Sequence, residues 1–169
     1  MLQIWLESCR SFGVDEILIN IHAHAAQVKD FLRSSRHGLS VHSAEEKTLL
    51  DSGGTLLANR EWVPGESSFW IFYADVLHNV DLTMIGRLHA SCHPTATIGV
   101  YRVPDPTRCG VVEVSGEGVV TQFVEKPTAP RSNLAFAGIM IATPELLDSI
   151  PLKPLVDIGF GYCHASRAA

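Results

Sequence analysis

Apolar residues recur at helical spacing from the first residues of the chain, where Leu2, Trp5, Leu6, Cys9 and Phe12 share one face and Gly13 follows as a C-cap. The pattern predicts an amphipathic helix. Positions 16–20 then read as a short buried strand, and Ala25, Val28, Phe31 and Leu32 mark a second helix ending near Gly38. A strand is predicted over 39–43, and Ser52 is placed as the N-cap of a helix from Gly54 through Asn59. After a turn at Pro64-Gly65, the run 67–75 predicts a buried strand that carries the carboxylate of Asp75 to its C-terminal tip. That is the end at which parallel α/β sheets place their chemistry. Asp81 or Asn79 caps a helix bearing Leu82, Ile85 and Leu88.

Three successive helix-to-strand alternations predict an α/β fold with a doubly wound, mostly parallel, Rossmann-like sheet. The second half has a different pattern. Positions 95–103 alternate Ala96, Ile98 and Val100 with polar neighbours, and strands over 110–114 and 118–124 flank Ser115-Gly116-Glu117 as a hairpin. A further strand covers 134–141, and Thr143-Pro144 opens a short helix. An antiparallel region is therefore expected in the second half. The 169 residues are expected to form one domain, truncated at both ends, with no internal repeat or linker.

Hydrophobic content of 46% fits a globular protein with its own core. The formal net charge is −5 and the basic residues are scattered, which argues against a nucleic-acid surface and requires any phosphorylated ligand to find local cations or amides. Cys9, Cys92, Cys109 and Cys163 form no C-x-x-C pair, so a reducing, cytoplasmic compartment is expected. No stretch reaches the roughly 20 apolar residues of a membrane span, and the N-terminus has no secretory signal pattern. Histidines cluster at His22-Ala23-His24 and at His89 to His93. Neither cluster has the ligand spacing of a zinc site, and the ordinary reading is loop and helix-end histidines. Trp5, Trp62 and Trp70 read as core.

Four tips carry candidate chemistry: Gly53-Gly54, Asp75, Gly110 and Glu125-Lys126-Pro127, followed by Gly138 inside the last strand. Taken alone, each has an ordinary reading: a helix-start turn, a helix-capping Asp, a turn glycine, a solvated strand end. Taken in order, the segments Leu50-Asp51-Ser52-Gly53-Gly54-Thr55-Leu56, Tyr73-Ala74-Asp75-Val76-Leu77, Cys109-Gly110-Val111-Val112, Phe123-Val124-Glu125-Lys126-Pro127 and Phe136-Ala137-Gly138-Ile139 resemble the sugar-1-phosphate nucleotidyltransferases. That family includes the mannose-1-phosphate guanylyltransferases and glucose-1-phosphate thymidylyltransferases.

The resemblance implies transfer of a nucleotidyl group from a nucleoside triphosphate to a sugar 1-phosphate. It implies Asp75 as a ligand of Mg²⁺, a hard cation suited to a carboxylate oxygen. Gly53 and Gly54 would lie against the nucleotide base, Gly110 and Gly138 against the sugar, Glu125 would receive sugar hydroxyls, and Lys126 would meet the sugar phosphate. Asp75 and Lys126 would thus be the catalytic pair, and a homo-oligomer is compatible with the resemblance.

Three departures qualify what is implied. Asp51 and Ser52 stand where many members have Gly-Thr, Phe136 replaces the asparagine of an Asn-Ala-Gly strand, and the Gly-x-Gly-Thr-Arg phosphate loop is absent from the sequence. That loop supplies amides and cations to the transition state, so activity is expected to be impaired. Asp157-Ile158-Gly159 matches either the second metal-binding Asp-x-Gly of the family or an earlier Asp-x-Gly-Phe segment. The competing expectation is a noncatalytic regulatory or scaffold domain that binds a nucleotide sugar.

Overall fold

Two sheets meet in the computed structural model, which describes residues 1–34, 38–63 and 65–152. The chain enters through α1 (Leu2–Ser11), which buries Trp5, Leu6 and Cys9 as its spacing predicts; Gly13, at φ +77°, follows its end. Phe12 remains exposed. β1 (Glu16–Ile21) pairs in parallel with β2 (Ser40–Glu45), in register from Glu16↔Ser40 to Ile21↔Glu45, and α2 (Ala25–Ser34) joins them. No residue of α2 is fully buried.

The second sheet holds β3 (Phe69–Phe72), β4 (Ala96–Arg102), β5 (Gly110–Val114), β6 (Val120–Glu125) and β7 (Leu134–Ala142). Its spine is β7, whose nine residues are all apolar or glycine, the composition of a strand covered on both faces. β4 runs along one edge of β7 from Ala96↔Ala142 to Arg102↔Leu134. Two strands divide the other edge: β3 pairs with Ile139 to Ala142, and β5 with Leu134 and Ala135. β6 closes the sheet as the second arm of the hairpin, with Ser115 and Gly118 in its turn.

Every pairing in this second sheet is antiparallel, so parallel pairing among the described strands is confined to β1 and β2. The sequence predicted a mostly parallel sheet. Helix-to-strand alternation sets the order of elements but not their neighbours, and here the long apolar β7 from the second half takes the place beside β3.

Helices α1 and α4 (Leu82–Cys92) join the two sheets, because Trp5, Cys9, Leu82 and Ile139 form one buried cluster against which Ile17 of β1 and Trp70 and Phe72 of β3 pack. Asp81 caps α4 as predicted, its carboxylate accepting the Thr83 amide at 2.9 Å. The contacts with Thr83 hold the Asp81 carboxyl below its ordinary pKa, the side-chain hydroxyl first and the amide second. On the other side lies a second cluster of Ala96, Met140, Ala142 and Leu146, bordered by Leu56 of α3 (Asp51–Ala58) and by Phe69, Ile71, Tyr73 and Phe136. Leu146 belongs to α5 (Glu145–Ser149), which follows Thr143-Pro144 as expected.

Two boundaries differ from the sequence reading. β3 stops at Phe72, and the chain turns through 73–76 before Asp75 can extend the strand. α3 begins at Asp51 behind Leu50, not behind Ser52, and the Leu50 amide goes to the buried carboxylate of Glu46 at 3.3 Å. A carboxylate four residues upstream thus takes a helix-start donor, a reach that local capping rules do not register. Asp157 and Cys163 lie outside the described residues.

Candidate active site

β3 and β5 leave a gap where they share the edge of β7, and Gly110, Gly138 and the chain leading to Asp75 lie along it. Tyr73 donates its amide to the Gly138 carbonyl at 2.8 Å, the last bond of the β3 side. Extending the β5 register by one residue sets Gly110 opposite Phe136, two positions further down β7. At about 3.4 Å per residue the two tips stand roughly 7 Å apart along the strand. Glu125 pairs with Gly110 across the hairpin, one strand spacing of about 4.8 Å further out.

A bulge in β7 lies at the gap. Between Ile98↔Met140 and Val100↔Phe136, β4 advances two residues while β7 advances four, and Gly138 within the bulge has φ +69°. A Cβ at Gly138 would lie 2.9 Å from the Tyr73 Cβ, so glycine permits both the left-handed backbone and the approach of β3. A Cβ at Gly110 would meet the Phe123 ring at 2.7 Å and Glu125 Oε2 at 2.9 Å. Gly110 is therefore also covered by side chains of its own sheet.

Asp75 is exposed in the turn closed by the Val76 amide and the Tyr73 carbonyl at 3.1 Å, and Trp5 Nε1 donates to the Val76 carbonyl at 3.0 Å, tying that turn to α1. Lys126 follows β6 with φ +44° and its amide bonded to the Cys109 carbonyl at 3.0 Å. Its Nζ lies 3.5 Å from Glu125 Oε1, both groups largely exposed. Asp75 thus follows the β3 side of the gap, and Glu125 and Lys126 end β6 on the far side of β5.

Between them lies a wall that the sequence reading did not assemble. The Phe136 ring stands edge-on to Tyr73, with centroids 5.4 Å apart, and to Phe123 at 6.0 Å. Phe123 and Glu125, two apart on β6, share the face of Gly110. Phe123 and Glu125 are two apart on one strand, whereas only tertiary pairing brings Tyr73 and Phe136 to them.

Gly53 and Gly54 lie in the first turn of α3, the helix whose Leu56 borders the same cluster as Tyr73 and Phe136. Gly53 is buried, and a Cβ at Gly54 would approach Leu50 Cβ to 2.9 Å. Asp51 opens the helix at φ +60°, a conformation that Asp tolerates better than most residues. Thr55 Oγ1 donates to Glu46 Oε1 at 2.6 Å and accepts from Asn20 Nδ2 at 3.4 Å, anchoring α3 to the β1–β2 sheet. Among the described residues no group of three or more His, Cys, Asp or Glu side chains could hold a metal ion. Nor is any helix among them long and apolar enough to cross a membrane.

Comparison with known proteins agrees with this architecture. A "probable mannose-1-phosphate guanylyltransferase 2" of Oryza sativa subsp. japonica is 31% identical over 154 residues, covering 88% of this chain and 43% of that protein. Mannose-1-phosphate guanylyltransferase 1 of Arabidopsis thaliana is 30% identical over the same length, again at 88% and 43% coverage. The chain therefore spans less than half the length of these relatives. In fold it resembles the crystal structure of a UDP-glucose pyrophosphorylase complexed with UDP-glucose, with a TM-score of 0.82 at 17% identity, covering 99% of this chain and 75% of that one. Residues 1–157 match the nucleotidyl transferase family, and the chain belongs to that family.

Proposed function

We propose that this protein transfers a nucleotidyl group from a nucleoside triphosphate to a sugar 1-phosphate, giving a nucleotide sugar and pyrophosphate. What supports this reading is the backbone order along one edge of β7: the turn bearing Asp75 follows β3 beside Gly138, Gly110 opens β5, and Glu125 and Lys126 end β6 across from Gly110. In the reaction a phosphate oxygen of the sugar 1-phosphate forms a bond to the α-phosphorus, and the bond from that phosphorus to the β-phosphate bridge breaks. Positioning and charge compensation carry nearly all of the catalysis.

Each residue takes a role that its chemistry suits. The exposed Asp75 offers hard oxygen donors suited to Mg²⁺, a cation that arrives with the triphosphate and keeps several waters. That cation would neutralise phosphate charge as the bonds exchange. Lys126, a compact ammonium, meets the sugar phosphate, and Glu125 accepts sugar hydroxyls. The first turn of α3, with Gly53 and Gly54, faces the base, while Gly110 and Gly138 shape the sugar side. The parallel β1–β2 unit and the antiparallel sheet then act as parts of one doubly wound, Rossmann-like domain. The free thiols Cys9, Cys92 and Cys109 support a reducing, cytoplasmic compartment.

Pyrophosphate release with Mg²⁺, each ribonucleoside triphosphate and a panel of sugar 1-phosphates tests the reading, with Asp75→Asn as control. Turnover lost in Asp75→Asn supports it. Nucleotide-sugar binding without turnover in the wild type favours a noncatalytic, regulatory or scaffold domain instead.

A further inference from the structure

Trp5 of α1 touches the segment bearing Asp75 at three points. Its ring centroid lies 4.7 Å from that of Phe72, the last residue of β3, and 4.6 Å from that of His78 beyond the turn, while its Nε1 donates to the Val76 carbonyl at 3.0 Å. One buried side chain thus brackets Asp75 along the chain. The other anchors of the turn, the Tyr73 amide on the Gly138 carbonyl and the Val76 amide on the Tyr73 carbonyl, act on the chain up to Val76. Among the described residues the indole makes the one hydrogen bond to the Val76 carbonyl, so it holds the peptide that follows.

Asp75 depends on that frame. Among the described residues no hydrogen bond or ion pair holds its carboxylate, so the direction in which it leaves the turn is that of its backbone. A tryptophan in a core contributes packing area wherever it sits, and the cluster of Trp5 with Cys9, Leu82 and Ile139 uses that area here. Packing alone does not require a donor. The indole supplies one, aimed at a carbonyl one residue beyond Asp75, and a phenyl ring in its place would not. We propose that Trp5 is a positioning residue, which rests on the proposed nucleotidyl transfer: its N–H, by holding the Val76 carbonyl, sets the Asp75 carboxylate where it meets the Mg²⁺ of the nucleoside triphosphate. Groups that orient a metal ligand in this way govern metal affinity without touching the ion.

The test is a double-mutant cycle read by titration calorimetry of the full chain against each of the four ribonucleoside triphosphates, with Mg²⁺ and with EDTA. The ratio of the two affinities measures what the metal contributes. Trp5→Phe, which keeps a ring and loses the donor, is expected to lower that ratio about tenfold while leaving the affinity in EDTA unchanged. Asp75→Asn lowers it too, and adding Trp5→Phe to Asp75→Asn lowers it no further. Cys9→Ala, which trims the same buried cluster one helical turn along α1, leaves the ratio at its wild-type value whatever it costs in stability. A ratio unchanged in Trp5→Phe, losses that simply add in the double variant, or an equal loss in Cys9→Ala overturns the inference. Circular dichroism checks the folding of the variants. If Trp5→Phe does not fold, the Trp5 indole N–H resonance of the wild type decides: it shifts when Mg²⁺ joins the bound nucleotide and stays still in Asp75→Asn, and a resonance that does not move in the wild type overturns the inference. A ratio untouched by Asp75→Asn, or no nucleotide binding with Mg²⁺, overturns the reading of Asp75 itself, a result distinct from an Asp75-dependent metal effect that ignores Trp5.

Discussion

Gly138 inside β7 and Gly116 in the β5–β6 turn answer to different constraints. Gly138 combines φ +69° with a prospective Cβ contact of 2.9 Å to Tyr73, so Gly138→Ala meets both a backbone penalty and a clash. It should cost about 1–3 kcal/mol in urea unfolding. A Cβ at Gly116 would meet nothing within 4 Å and its φ is not positive, so Gly116→Ala should fall within about 0.5 kcal/mol of wild type. Lys126 separates function from stability at the same scale. Its pairing with Glu125 at 3.5 Å is exposed, and such pairs contribute little, so Lys126→Met should change stability by under about 0.5 kcal/mol. If Lys126 holds the sugar phosphate, the same change should weaken sugar 1-phosphate binding about tenfold or more. Unchanged binding by calorimetry would remove Lys126 from the site.

At the scale of elements, α4 and β4 are joined by a buried polar contact, His89 Nδ1 to Thr97 Oγ1 at 3.0 Å. Burial lowers the His89 pKa below 6.5, and the nearby charge of His93 lowers it further. The folded state therefore resists protonating this ring, while the unfolded chain takes up the proton near the ordinary value. Stability from the neutral ring is fully present above the unfolded pKa and is lost as pH falls below it. Thermal melts between about pH 7 and about pH 5.5 should show a larger loss for wild type than for His89→Gln. His78, whose pKa burial also lowers, is common to both proteins and drops out of the difference. This contact was invisible in the sequence because histidine spacing along α4 says nothing about Thr97 on the next strand. What was legible was local: the face of α1, the Asp81 cap, the β5–β6 hairpin and the strand-end positions of Glu125 and Lys126. Pairing was not, since β7 gains β3, β4 and β5 as neighbours only through contacts distant in sequence.

The whole molecule divides its burial unevenly. Ile139, Met140, Ile141 and Ala142 of β7 are all buried between packed neighbours, whereas in β1 only Ile21 is, and α2 and β2 bury no residue fully. Regions with few buried apolar contacts open at lower free energy than the core, so amides of β1, β2 and α2 should exchange with solvent well before those of β7. The asymmetry matters for the candidate site because α3, with Gly53 and Gly54, is tied to the less buried half through Asn20, Thr55 and Glu46. Ligand binding stabilises only the states that hold the binding surface together. A nucleoside triphosphate with Mg²⁺ that rests on the first turn of α3 should therefore slow exchange in α3, β1 and β2 while leaving the centre of β7 nearly unchanged. Hydrogen exchange followed by mass spectrometry, with and without ligand, reads both halves in one experiment. Protection confined to the β5–β6 hairpin would place the nucleotide away from the glycine turn, and equal protection everywhere would show that the two sheets open as a single unit.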